Sequence, residues 1–373
     1  MTQERLTAWQ LFYIASGTMG CINFYLMMDQ LIDMSSTSAY MVLLAIGAVI
    51  GLLCMPMPSL LTREEGKDFT ASHMAAFGTF FGVFILILFL ASLILAGGMM
   101  LNEMMQILDR YQTPNLEYYW IAVPLMLVCA VVAGKGGVRV LAGLFFIVLC
   151  LRIFETGLLV LGVTSSFELR SILPLWSGLP ERPGAAIARG SALFSGIEML
   201  VFLRLYTAGL KARSVRGAIW SAVGAHCAFL IIGSWLMLGI CGFDMIRLVD
   251  LTTIDFYRVI SFQFFEQLDE VGISIQLFWT LSTLAFVLWI NATMLRKAVF
   301  RRWPEAMHYG TAALLMLAVA AGLWEFRLNQ LLQKWQPIVL LVMLCVYIPI
   351  YGLLLARARK SGQRVPTVGG ESS

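Results

Sequence analysis

Apolar residues run along the chain in long stretches, separated by short clusters of glycine, proline and charge. A helix of about 20 residues rising 1.5 Å each matches a hydrocarbon core of about 30 Å, so stretches of this length read as membrane spans. Cut at the breakers, the pattern predicts about ten of them. They lie near Thr7–Met28, Thr37–Leu60, Ala75–Glu103, Tyr118–Ala133, Val138–Leu161, Ala185–Tyr206, Gly217–Gly242, Val271–Leu295, His308–Trp324 and Gln336–Ala356. Tryptophans recur near these ends (Trp9, Trp120, Trp220, Trp303, Trp324, Trp335), as interfacial anchors do. The third run is too long to stand upright and is expected to tilt or project.

Two longer polar segments interrupt the pattern, at about Gly162–Gly184 and Phe243–Glu270. The second mixes acidic and aromatic residues at helical spacing, which predicts an amphipathic helix lying on the membrane surface. The tail 361–373 is rich in Gly, Ser and Pro and reads as a disordered end to one transmembrane domain, residues 1–360.

Composition excludes a soluble protein. Of 373 residues, 60% are hydrophobic and 13% charged, and mean hydropathy is +0.82; soluble domains carry about 25% charge. A net charge of +4 is too small to imply a nucleic-acid partner. Basic residues set the orientation. With the N-terminus inside, 17 Lys and Arg fall on cytoplasmic segments and 8 on the other face, with Arg152 mid-span, so both termini are expected in the cytoplasm.

All seven cysteines sit in apolar runs without a CxxC pair and read as small buried hydrophobes. The three histidines have no HExxH context, and neither a Walker loop nor a GxSxG elbow is present. No metal, cofactor or enzyme activity is expected.

Ionisable and helix-breaking residues at membrane depth are the functional candidates. The first span contains Ser16-Gly17-Thr18-Met19-Gly20 and then Asn23. Such a stretch either unwinds, exposing backbone groups, or forms a close-packing small face; both readings stand. The sixth span contains Ser191 and then Phe194-Ser195-Gly196-Ile197-Glu198, where a carboxyl group and a breaker coincide. A cavity there is favoured over a bond between helices. Arg152 and Glu155 share one face of the fifth span and read as a structural ion pair. The eighth span carries Gln276, Thr280, Ser282, Thr283 and Asn291. Breaks in the first and sixth of ten spans occupy equivalent places in two five-span halves (about 7–161 and 185–356), the pointer to an inverted-repeat transporter fold.

The motifs resemble one family. Ile172-Leu173-Pro174-Leu175 followed by Ser191–Leu200 is similar to the L-x-P loop and S-x-x-F-x-G-x-E-x-[LM] helix of the B subunits of bacterial spore germinant receptors, the endospore germination permeases. Phe265-Glu266-Gln267-Leu268-Asp269 and Trp9-Gln10 with Thr18-Met19 add weaker matches. The chain departs from that family at Cys21 and Asn23, where a G-x-G is usual, at Met28 and Arg204, where proline is, and at Gln267, where arginine is.

The resemblance implies the all-α leucine-transporter fold of the amino acid–polyamine–organocation superfamily, in the spore inner membrane. It implies a small nutrient ligand, typically an amino acid, and two partners, an A subunit and a C lipoprotein. It places the ligand against backbone groups of Gly17, Thr18, Gly20, Ser195 and Gly196, with Leu88, Ser92, Ser282 and Thr283 around it. Glu198 would be a structural or switching group beside the site. Two other readings remain open here, a secondary amino-acid transporter and a structural membrane subunit with a vestigial pocket.

Overall fold

The computed structural model describes residues 5–21, 24–62, 69–111, 119–163, 167–174, 176–249, 256–257, 268–299, 302–323, 335 and 337–360, and every regular element among them is helical. Asn23, the tail 361–373 and most of the expected amphipathic segment lie outside them. Of that segment the described pair Phe256 and Tyr257 is buried, so this part of it tucks into the protein instead of lying on its surface.

The first half runs α1 (Ala8–Thr18), α2 (Phe24–Ser35), α3 (Ala39–Leu53), α4 (Met57–Thr62), α5 (Phe69–Phe77), α6 (Thr79–Tyr111), α7 (Tyr119–Lys135) and α8 (Gly137–Gly162). The second runs α9 (Pro183–Ala192), a tight 3-10 segment (Ile197–Leu203), α10 (Arg204–Thr207), α11 (Ala212–Val249), α12 (Leu268–Met294), α13 (Glu305–Gly322) and α14 (Ile348–Lys360). At 33 residues α6 is about 50 Å long, longer than the bilayer core, as its apolar run predicts.

Local signals explain the ends. Gln10 N donates to Thr7 Oγ1 at 3.2 Å and Thr7 N to Gln10 Oε1 at 2.9 Å, a capping box that starts α1. Pro183 opens α9 at a position where its missing N–H costs nothing. A non-helical Gly242 kinks α11 near its end.

Among the described residues, seven stretches are long and apolar enough to cross a membrane: Met28–Thr62, Thr79–Leu108, Gly137–Gly162, Pro183–Thr207, Ala212–Arg247, Asp269–Lys297 and Pro337–Arg357. The other three expected runs are helical as well. The first is divided between α1 and α2, the fourth is the short α7, and the ninth, α13, opens on Glu305 and His308.

α1 lies at the centre, packed on α8, α11 and the 3-10 segment, while α12 packs against α6, α7 and α8. In lipid, tight packing holds helices together where the hydrophobic effect does not. Thus Gly97 and Gly98 bring α6 so close to α13 that an added Cβ would meet Met316 Sδ at 2.6 Å or Val319 Cγ1 at 2.4 Å. The cysteines divide. Cys21, Cys54, Cys227 and Cys241 are buried, but Cys129, Cys150 and Cys345 point outward from apolar helices, where lipid would cover them.

Candidate functional site

The two predicted breaks are real and they touch. Two residues beyond the end of α1, Gly20 turns to φ +74°, and between α9 and the 3-10 segment Gly196 turns to φ +114°, both left-handed conformations that glycine adopts without strain. Gly20 N donates to Ser195 O at 3.1 Å, tying one break to the other. Gly196 packs so closely on α1 that a Cβ there would lie 2.1 Å from Thr18 O.

An interrupted helix exposes carbonyls that need donors. Here side chains from three neighbouring helices supply them. Arg152 Nη1 of α8 donates to Ser16 O at 3.3 Å, Trp279 Nε1 of α12 donates to Gly17 O, and Gln276 Nε2 donates to Cys21 O at 3.3 Å. His226 Nε2 of α11 lies 2.8 Å from Leu193 O in the second break. A carbonyl only accepts, so Nε2 carries the hydrogen, and Nδ1 is left to accept from Arg152 Nη2 at 3.3 Å. The Arg152 guanidinium also sits over the rings of Phe229 and Trp279, at 3.8 and 4.3 Å from their centroids, where ring faces favour a cation. Arg152 therefore fastens the first break to the second. Glu155, one turn further along α8, accepts a short hydrogen bond from Tyr257.

Glu198 folds back on its own break. Gly196 N donates to Glu198 Oε2 at 2.8 Å, and Ser195 Oγ donates to Oε1 at 3.4 Å. Glu198 is only 9% exposed, and it lines a cavity of about 90 Å³ between α6, the 3-10 segment and the last apolar stretch. Phe89, Leu93, Met99, Phe202, Val339 and Met343 give it apolar walls, and among the described lining residues Ser92, Ser195, Glu198 and the indole of Trp335 carry polar groups. Met343 opens a π-helical turn, Met343–Tyr347, an irregularity often found beside functional sites.

The residues singled out in the sequence divide accordingly. Ser92, Ser195 and Glu198 come together at the cavity. Gly17, Thr18, Gly20 and Gly196 lie at the joined breaks beside it, and the N–H groups of Gly20 and Gly196 are engaged within the chain. Thr18 Oγ1 donates to Ile14 O in its own helix. Ser282 and Thr283 likewise donate to Phe278 O and Trp279 O, and neither is among the described residues lining the cavity. Leu88 is 53% exposed; its neighbour Phe89, about a hundred degrees round the helix, lines the cavity in its place.

Sequence reasoning missed His226 and Trp279 as carbonyl donors, and the apolar wall of α6. Trp279 had a signal, since it is a tryptophan far from either end of its span. The wall had one too, because Phe89, Ser92, Leu93, Ala96 and Met99 repeat at helical spacing.

The model of a family described as spore germination protein matches residues 5–324. No curated protein sequence matches the chain significantly. Solved structures do. The nucleobase-cation-symport-1 transporter Mhp1, closed with bromovinylhydantoin bound, is 16% identical at TM-score 0.61, covering 95% of this chain and 80% of that one. MhsT in complex with L-phenylalanine is 16% identical at TM-score 0.57, covering 95% and 89%. A mutant manganese transporter of Eremococcus coleocola is 12% identical at TM-score 0.58, covering 93% and 78%. At such identities the likeness is one of fold: this chain has the leucine-transporter-type architecture with broken first and sixth spans.

Proposed function

The chain belongs to the spore germination protein family, and on that premise we propose that it is a germinant-receptor subunit that binds a small amino-acid-like nutrient in the cavity beside its joined breaks. Family and fold are those of receptors and transporters, and its apolar helices make it an integral membrane protein. The reading extends this to the spore inner membrane, with both termini cytoplasmic and the signal passed to an A subunit and a C lipoprotein.

One observation carries the proposal. The cavity abuts Ser195 and Glu198, residues of a break that is itself bonded to the other break through Gly20 and Ser195. A ligand seated there touches the joint between the two halves, so its binding energy can act on their relative arrangement. Thr18, Gly20 and Gly196 form that joint, Gly17 lies in the last turn of α1 leading into it, and Ser92 and Ser195 meet the ligand. That a neighbour of this fold holds L-phenylalanine supports an amino-acid-like occupant.

The test is assembly and flux together. The subunit should co-purify with an A-type subunit and a lipoprotein from spores. In liposomes it should bind radiolabelled amino acid without accumulating it. Ion-driven accumulation without partner subunits would make it a transporter; neither partners nor binding would leave a structural subunit.

A further inference from the structure

Resting on the cavity as the ligand's seat, we infer that the site recognises the ligand's amino group through Glu198 and requires no carboxylate, so that small apolar amines and amino-acid amides are ligands as well as free amino acids. Among the described lining residues the groups gathered round Glu198 present acceptors, and the one donor is the indole N–H of Trp335, a residue 55% exposed at the cavity's edge. Both oxygens of Glu198 already accept from the break, and a carboxylate has lone pairs for further donors. Ser92 Oγ gives its hydrogen to Phe89 O at 2.9 Å, and Ser195 Oγ gives its own to Glu198, so each turns only oxygen lone pairs to a ligand.

The backbone N–H groups of the two breaks that would hold a carboxylate are occupied. Gly196 N serves Glu198 and Gly20 N serves Ser195 O. The protein thus supplies, from Glu198, the carboxyl group that the second break can bind. A ligand carboxylate would have to displace it and leave two like charges in one apolar space, which opposes ionisation of both. Among the described residues lining the cavity none is Lys, Arg or His, so from these residues a second anion gains no countercharge, while an ammonium gains Glu198. The volume of about 90 Å³ suits a short aliphatic group.

The experiment measures binding to the full-length chain in lipid nanodiscs by calorimetry. The probes are alanine, valine and leucine, each as free amino acid, amide, decarboxylated amine and N-acetyl acid, with K⁺ as the simple cation. For at least one side chain the amide and amine should bind within roughly tenfold of the amino acid or tighter, a difference of about 1.4 kcal/mol at most. N-acetyl acids and K⁺ should not bind. Glu198→Gln should weaken the amines at least tenfold; if it fails to fold, the unmodified chain decides alone. Binding of amino acids and N-acetyl acids without amides or amines would overturn the inference and leave the seat intact. K⁺ matching the amines would overturn it as well. Binding by no member of the panel would remove the seat and the inference together.

Discussion

Gly196 is the residue on which the geometry leans hardest. Its φ of +114° is strained for any other residue, and the atom an added Cβ would strike is Thr18 O, a backbone atom with little freedom to retreat. Gly196→Ala should therefore cost at least about 2 kcal/mol and lower folded protein sharply. Gly143, with nothing within 4 Å of its would-be Cβ, provides the contrast. Gly143→Ala should leave thermal unfolding in detergent unchanged while Gly196→Ala lowers its midpoint; equal behaviour would refute the close approach. The break itself was legible, because Ser195-Gly196 interrupts an apolar run beside a glutamate. The turn of Glu198 onto Gly196 N was not, since spacing says that a carboxyl group needs a partner without saying which.

The broken first span holds its shape through donors lent by other helices. Arg152 reaches Ser16 O and His226 while its guanidinium lies between two aromatic rings. Arg152→Lys keeps the charge but loses the planar fork, so it should still destabilise, by about 1–3 kcal/mol for an unsatisfied buried group. Abundance and thermal unfolding of Arg152→Lys and Arg152→Gln check this; wild-type behaviour for both would contradict it. At the other end of α1, Thr7→Ala removes one arm of the capping box and should cost about 1 kcal/mol, read by the same unfolding measurement. Apolar run length made the helices legible, and Thr7-x-x-Gln10 could have been read as a cap. The donors could not. Trp279 and His226 are assigned to their carbonyls by the folding of distant spans onto one another, which no local pattern encodes.

At the scale of the molecule, two predictions concern orientation and ligand. Basic residues are the orienting signal, and the orientation they predict has Lys211 on the cytoplasmic side. A single cysteine at that position should be labelled only after the membrane is permeabilised, and ready labelling from outside would reverse the topology. Paired breaks in equivalent spans made the fold legible, while the cavity arises where α6, the second break and the last apolar stretch converge. The measurement that bears most directly on it is the midpoint of the nutrient dose–response for germination, normalised to protein abundance. Ser92→Ala should move that midpoint roughly tenfold to a hundredfold, the effect of one lost polar contact, while the outward-facing Ile153→Ala leaves it in place. Ser195→Leu should abolish the response. Midpoints that stay fixed in Ser92→Ala and Ser195→Leu while only abundance changes would show that the ligand sits elsewhere.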